Sequence, residues 1–309
     1  MSETYVYYHV TKPGAVLRAQ GPDAFTFLQS QFANDLHHPE VAQPVTYGLW
    51  LDHKGKIQAD SFVLQKSPGE FLIVSYDGPR ERLRAHLEAR LVADDVTLED
   101  ETEKYSLVHL WPAEHDDDLS ELVGQIADPA LTESWMGRRP TGFGAWDLLA
   151  PPPVMEKIVA QLNELGVANA TMAELTAIRV ALGIPAVPAD AGPEDLPQET
   201  GLNLVAVSYD KGCYLGQEVM QRLHTQGHAN RALWQVAWEG GLPEPHQDGP
   251  MPLFVGETEA GQLRSRATKD GKSLGLAMLK LRLLAGQPLL SFSPNGPKVV
   301  RLFRNLAEG

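Results

Sequence analysis

The sequence predicts an α+β protein in two modules, a mixed helix–strand core over residues 1–230 and a small all-β barrel over residues 231–309. Three observations carry this. The chain has 309 residues, room for about two domains. Up to Ala229, windows of helical spacing alternate with short β-type runs. From Ala232 onward only short β-type runs remain, divided by Gly and Pro turns.

In chain order, Gly21-Pro22-Asp23 punctuates the chain, and Phe25, Leu28 and Phe32 then recur at helical spacing. Tyr47 to Leu51, Ile57 to Leu64 and Phe71 to Ser75 read as strands, the first two joined into a hairpin by Asp52-His53-Lys54-Gly55. After Pro79, Leu83, Leu87 and Leu91 fall four apart and predict a helix. Strands are expected at Tyr105 to Leu110 and Phe143 to Leu149. Pro151-Pro152-Pro153 breaks the chain before a helix carrying Val154, Ile158, Leu162 and Leu165. Thr171-Met172-Ala173-Glu174 has the form of a capping box, in which each side chain satisfies an orphan backbone N–H. It opens a helix with Leu175, Ile178 and Leu182 on one face. The stretch from Gly183 to Pro197 is rich in proline and acid, which predicts an irregular crossing. Five β-type runs follow: Leu233 to Trp238, Leu253 to Val255, Leu274 to Leu279, Leu289 to Phe292 and Val299 to Phe303.

Composition excludes several classes. With 43% hydrophobic and 21% charged residues the chain is of ordinary globular type. No positive region followed by an apolar run opens it, so no signal peptide is expected, and no apolar run spans a bilayer. A net charge of −14 without a dense Lys/Arg cluster argues against direct nucleic-acid binding, which needs a basic stripe on the phosphates. The acidic run Glu114-His115-Asp116-Asp117-Asp118 reads as a solvated loop. One cysteine in the whole chain rules out a disulfide framework and points to a reducing cytoplasm. The pairs His37-His38 and His224 with His228 have neither a second cysteine nor an acid pair beside them, so no bound metal is expected.

That cysteine, Cys213, lies in Lys211-Gly212-Cys213-Tyr214-Leu215-Gly216-Gln217-Glu218. The glycines give the backbone freedom and let a ligand approach it. Gly216 to Arg222 reads as the first turns of a helix with its acid near the N-terminus. A thiol ahead of a helix N-terminus and near Lys211 is placed where thiolate character is favoured. A small buried hydrophobe in a tight turn would give the same spacing.

Lys-Gly-Cys-Tyr-x-Gly-Gln-Glu, complete at Lys211 to Glu218, resembles the signature of the YgfZ/GcvT-like folate-binding family, relatives of the aminomethyltransferase of glycine cleavage. Gly21 to Phe25, Phe27 to Gln29 and Gln31 to Asp35 are similar to that family's N-terminal block, and Asp52 to Lys56 to its hairpin. Glu174-Leu175, Ile178-Arg179, Gly183-Ile184-Pro185 and Pro197-Gln198-Glu199 are similar to its approach to the cysteine loop, and the likeness runs over most of residues 14 to 280. The resemblance implies an aminomethyltransferase-like folate-binding core with a C-terminal β-barrel. It further implies tetrahydrofolate or a one-carbon derivative as cofactor, no permanently bound metal, and a monomer that meets iron–sulfur client enzymes transiently. The implied role is iron–sulfur cluster assembly or repair, including in tRNA-modifying enzymes. On this reading Cys213, Lys211, Gln217 and Glu218 form the reactive set, and Asn34, Asp52, Lys54, Asp60, Arg179, Gly212, Tyr214, Gly216 and Arg222 bind the folate.

The chain departs from the aminomethyltransferase pattern in two places. Ala59-Asp60 keeps only the second of two acids, and Ala181 stands where a pterin-holding glutamate belongs. A lost charged hydrogen-bond partner costs about 1.5–3 kcal/mol. These departures argue against aminomethyl transfer. A folate-dependent aminomethyltransferase or demethylase, and a non-catalytic folate-sensing scaffold, are the alternatives.

Overall fold

In the computed structural model the described residues are 6–41, 43–112, 118–137, 144–227, 229–241, 249–269, 271–286 and 288–307. Most of the acidic run at 114–118 and His228 therefore lie outside them. The first strands are β1 (Val6–Thr11) and β2 (Ala15–Gln20), followed by helix α1 (Ala24–Gln31). A meander of β3 (Val45–Leu51), β4 (Ile57–Ser67) and β5 (Glu70–Ser75) leads to α2 (Arg80–Glu88), β6 (Thr97–Asp100) and β7 (Ser106–Pro112). Next come α3 (Ser120–Ile126), β8 (Glu133–Met136), β9 (Trp146–Ala150), α4 (Pro152–Glu164) and β10 (Ala168–Asn169). Helix α5 (Met172–Leu182) precedes the irregular crossing, then α6 (Pro197–Thr200), α7 (Asn203–Ala206) and α8 (Gln217–Gln226). The chain ends in β11 (Arg231–Trp238), β12 (Met251–Val255), β13 (Thr258–Lys269), β14 (Lys272–Lys280) and β15 (Arg301–Asn305).

The strands form three five-stranded sheets, ordered β10-β1-β7-β9-β8, β3-β4-β5-β2-β6 and β12-β13-β14-β11-β15. Contacts divide the chain into two compact units. The first comprises Met1–Leu28, Leu36–Tyr47 and Ser61–Leu175; the second comprises Gln29–Asp35, Gly48–Asp60 and Thr176–Gly309.

In the first unit, β1, β7 and β9 send Tyr8, Val108, Leu110 and Leu148 to one face. Val123 and Ile126 of α3 and Met155, Ile158 and Leu162 of α4 cover that face. The helical spacing of these last residues is what turns α4 onto the sheet. The capping box is formed: the Thr171 N–H donates to Glu174 Oε2 at 2.7 Å and the Glu174 N–H to Thr171 Oγ1 at 3.2 Å.

In the second unit, Val236, Leu253, Leu263, Ala277 and Leu279 build one core face of the C-terminal sheet. Its register runs antiparallel throughout, with bulges in β11–β15, β12–β13 and β13–β14. On a second cluster Val180 of α5 packs with Leu233, Leu276 and Met278. The sheet's outer strands are β12 and β15, so the described sheet is open. The run Leu289 to Phe292, expected as a strand, forms only isolated bridges, Phe254 with Ser291 and Leu290 with Val300. No helix among the described residues is long and apolar enough to cross a membrane.

Candidate functional site

All thirteen residues singled out from the sequence fall in the second unit. Its first component is the turn between β3 and β4. Asp52 Oδ1 accepts the N–H groups of Lys54 at 2.8 Å and Lys56 at 2.9 Å, while the Asp52 N–H donates to the Lys56 carbonyl at 2.9 Å. Asp52 therefore holds its own turn, the role short acidic side chains take wherever they can reach a backbone N–H two residues on. Gly55, buried at φ +72°, closes it. Lys54 is exposed.

The second component is the cysteine loop. Gly216, at φ +86°, is the N-cap of α8. A Cβ there would lie 2.7 Å from the Asp52 carbonyl oxygen and 3.2 Å from the Gly55 Cα, so the two turns meet backbone to backbone. A Cβ on Gly55 would meet the Met220 Cε at 2.7 Å and the Val219 Cγ1 at 3.2 Å. Only a residue without a side chain fits either position. Gln217 continues the loop inward, its N–H donating to the Tyr214 carbonyl at 3.2 Å and its Nε2 to the Lys211 carbonyl at 3.4 Å.

The third component is Gln29–Asp35, the last turn of α1 and the residues after it. The Leu215 N–H donates to the Ser30 carbonyl at 3.2 Å and the Ser208 N–H to the Ala33 carbonyl at 2.9 Å. Lys211 is buried, and its Nζ donates to the carbonyls of Gln29 at 2.7 Å, Phe32 at 2.8 Å and Asn34 at 2.8 Å, and to Gln29 Oε1 at 3.2 Å. Burial lowers its pKa to about 8, against the opposing pull of Asp35. The ammonium also sits 5.5 Å from the centre of the Tyr214 ring. Tyr214 is buried; desolvation, reinforced by Tyr209, pushes its phenol well above the ordinary value. Among the described residues its hydroxyl has no hydrogen-bond partner.

Between these anchors the Cys213 thiol is exposed, which removes the alternative of a buried small hydrophobe. Lys211 does not spread its charge over the open loop, as the spacing suggested; its protons go to backbone oxygens. Gly212 is exposed, has no neighbour within 4 Å of a would-be Cβ and is not among the positive-φ glycines, so Gly216 alone supplies the special backbone. Glu218 and Arg222 are exposed one turn apart on α8. Asn34 Oδ1 accepts the N–H of Asp35 at 2.9 Å, and Asp60 is buried on β4.

Arg179 stands with a different group. Its guanidinium donates to the Ile184 carbonyl at 2.8 Å, Asp190 Oδ2 at 2.5 Å and Ser265 Oγ at 2.7 Å, all buried. A second network ties the same crossing to the C-terminal sheet. Arg264 grips Asp195 through both oxygens at 2.5 and 3.0 Å, and Arg231 grips Glu199 at 2.7 and 2.9 Å. Ser30 and Phe32 partner the loop through backbone oxygens, and Gln29 through its backbone oxygen as well as Oε1; no side-chain pattern reveals such backbone acceptors. Gly55 was legible only as a turn residue. No three His, Cys, Asp or Glu side chains gather as a metal site among the described residues.

Residues 13–138 match the model of the GCVT N-terminal domain. Most of the chain is similar to two kinds of curated protein. The tRNA-modifying protein YgfZ of Cronobacter sakazakii is 24% identical over 282 residues, 88% of this chain and 84% of the relative. The mitochondrial iron–sulfur cluster assembly factor IBA57 of Mus musculus is 27% identical over 297 residues, 88% of this chain and 77% of the relative. In fold, the crystal structure of glycine cleavage system aminomethyltransferase T from Bartonella henselae matches 99% of this chain and 87% of its own, with a TM-score of 0.77 at 16% identity. The resemblance to the YgfZ/GcvT-like family is borne out by these findings.

Proposed function

We propose that the protein binds tetrahydrofolate or a one-carbon derivative and supports iron–sulfur cluster assembly or repair, including in tRNA-modifying iron–sulfur enzymes, through the Lys211–Glu218 loop. The observation that carries this is the exposed Cys213 thiol on a loop whose neighbours are anchored on both sides. A thiol so presented suits transient contact with a client's cluster, which is cargo here and not a resident cofactor. The names of the two curated relatives support the same role.

The residues present fit a folate in part. The buried Asp60 carboxylate and the Tyr214 hydroxyl, which has no hydrogen-bond partner among the described residues, suit the polar edge of a pterin, and exposed Lys54 and Arg222 suit the carboxylates of its tail. Bound there, a folate would supply one-carbon chemistry; this chain's residues would hold and orient it. Arg179 is left out of the binding set by its buried network. We also propose closure of the C-terminal strands into a barrel, supported by the bridges that lead from β12 through Ser291 and Leu290 to Val300, the residue before β15. The reducing cytoplasm is the proposed setting.

Two measurements test this. Calorimetry with tetrahydrofolate should show saturable binding, and none up to millimolar ligand would remove the folate component. In cells lacking their own YgfZ protein, this chain should restore tRNA thiolation while folded Cys213→Ala should not. Full rescue by that variant would sink the role of the loop.

A further inference from the structure

We propose that Lys211 is a positioning residue whose side chain plugs a ring of carbonyls from the last turn of α1 and the residues just after it, and thereby fixes the Lys211–Gly216 loop, and the Cys213 thiol it carries, on segment Gln29–Asp35. The proposal rests on Cys213 being the functional group of the loop.

The chemistry begins with the helix end. The last carbonyls of a helix, here that of Gln29, lack intrahelical partners and carry partial negative charge that attracts a cation. The carbonyls of Phe32 and Asn34 follow just beyond α1. An ammonium has three N–H donors and no acceptor. Three carbonyls, from Gln29, Phe32 and Asn34, lie within 2.8 Å of Lys211 Nζ, enough to take all three protons. Gln29 Oε1 at 3.2 Å and the Tyr214 ring at 5.5 Å complete the surround, and Asp35 is the charged group that favours the protonated form. The arrangement converges on one atom. A planar guanidinium spreads its donors over a fork, so arginine would not reproduce it.

The plug joins segments 177–182 residues apart in sequence. Two backbone bonds close the same seam, Leu215 N–H to Ser30 O and Ser208 N–H to Ala33 O. Their amides therefore report on docking of the loop. The turn at Asp52 has its own internal bonds and serves as a control.

The experiment is amide exchange by NMR on the full chain, in wild type, Lys211→Met and Lys211→Arg. With the plug removed, protection at Leu215 and Ser208 should fall about tenfold or more, as expected when buried acceptors lose their donors. Lys54 and Lys56 amides should change less than about twofold, and arginine should restore little. Unchanged protection at Leu215 and Ser208 in folded Lys211→Met would overturn the proposal, as would full restoration by arginine. Should Lys211→Met not fold, proton exchange of the lysine side-chain ammoniums of the wild type, read by 15Nζ NMR at low pH, decides. A lysine ammonium whose protons exchange far more slowly than those of a free amine supports the plug, whereas ammonium protons that all exchange as in free lysine would show a solvated amine and remove it. Neither readout involves folate or a client enzyme, so a failure here is distinct from a failure of the proposed function.

Discussion

Tyr214 carries the sharpest residue-scale consequence. Its ring is buried over the Lys211 ammonium, yet its hydroxyl has no partner among the described residues. A buried unpaired polar group costs about 1–3 kcal/mol, so Tyr214→Phe should leave stability to urea unchanged or raise it by up to that amount. If the hydroxyl meets a bound folate, the same variant should weaken tetrahydrofolate binding in calorimetry. A stability loss above about 1 kcal/mol would show a structural partner for the hydroxyl instead. Cys213→Ala, at an exposed position, should move stability by no more than about 0.5 kcal/mol, which makes it a clean probe of function. At this scale the motif was legible because side-chain identity and spacing are local properties. The destination of the Lys211 protons was not, since its acceptors are main-chain oxygens of Gln29, Phe32 and Asn34.

Elements were legible where a local signal set their ends. The Thr171–Glu174 box starts α5 as its pattern predicts, and the β-type run of Leu233 to Trp238 falls within β11. The longest strand among the described residues, β13, carries no clear sequence signal, because Thr258-Glu259-Ala260-Gly261 opens with polar and small residues and its pairing with β12 and β14 supplies the order. Between elements, the contact of Gly216 with the Asp52 turn predicts its own test. Gly216→Ala forces a left-handed conformation, costing about 1–2 kcal/mol, and sets a methyl 2.7 Å from the Asp52 carbonyl. Unfolding in urea should show a loss above that range, and a loss under about 0.5 kcal/mol would mean the two turns separate freely. The crossing between α5 and α6 offers a larger effect. Asp190 is fully buried and accepts from Arg179 and from the Ala186 N–H at 2.9 Å. Asp190→Ala leaves a buried guanidinium uncompensated, so a loss of about 3–5 kcal/mol is expected, largely relieved when Arg179→Met is added.

On the scale of the whole molecule, sequence texture shows where the β-rich region begins but not how distant segments gather. Residues 29–35 and 48–60 join 176–309 in one unit, and nothing in their own composition marks them for it. Lys211 depends on that gathering, and its proton makes the dependence measurable. Burial brings its folded-state pKa down to about 8, while an unfolded chain holds a lysine proton up to ~10.4. Below about pH 8 both states are protonated, and the desolvation penalty on the folded state is constant. Between about 8 and ~10.4 the unfolded state binds more protons than the folded one, so this group makes unfolding less favourable as pH rises. Above that window both states are neutral and its contribution is again constant. Other groups titrate in the same range, and subtracting Lys211→Met from wild type isolates the lysine. The stability difference between the two, from urea unfolding at pH 7, 8, 9 and 10, should be flat at first and then shift in favour of the wild type. A difference that stays level across the range would mean that the carbonyl hydrogen bonds and Asp35 offset burial and leave the amine's pKa unchanged on folding. A shift in favour of the variant would mean that folding raises the pKa, with the carbonyl hydrogen bonds and Asp35 together outweighing burial.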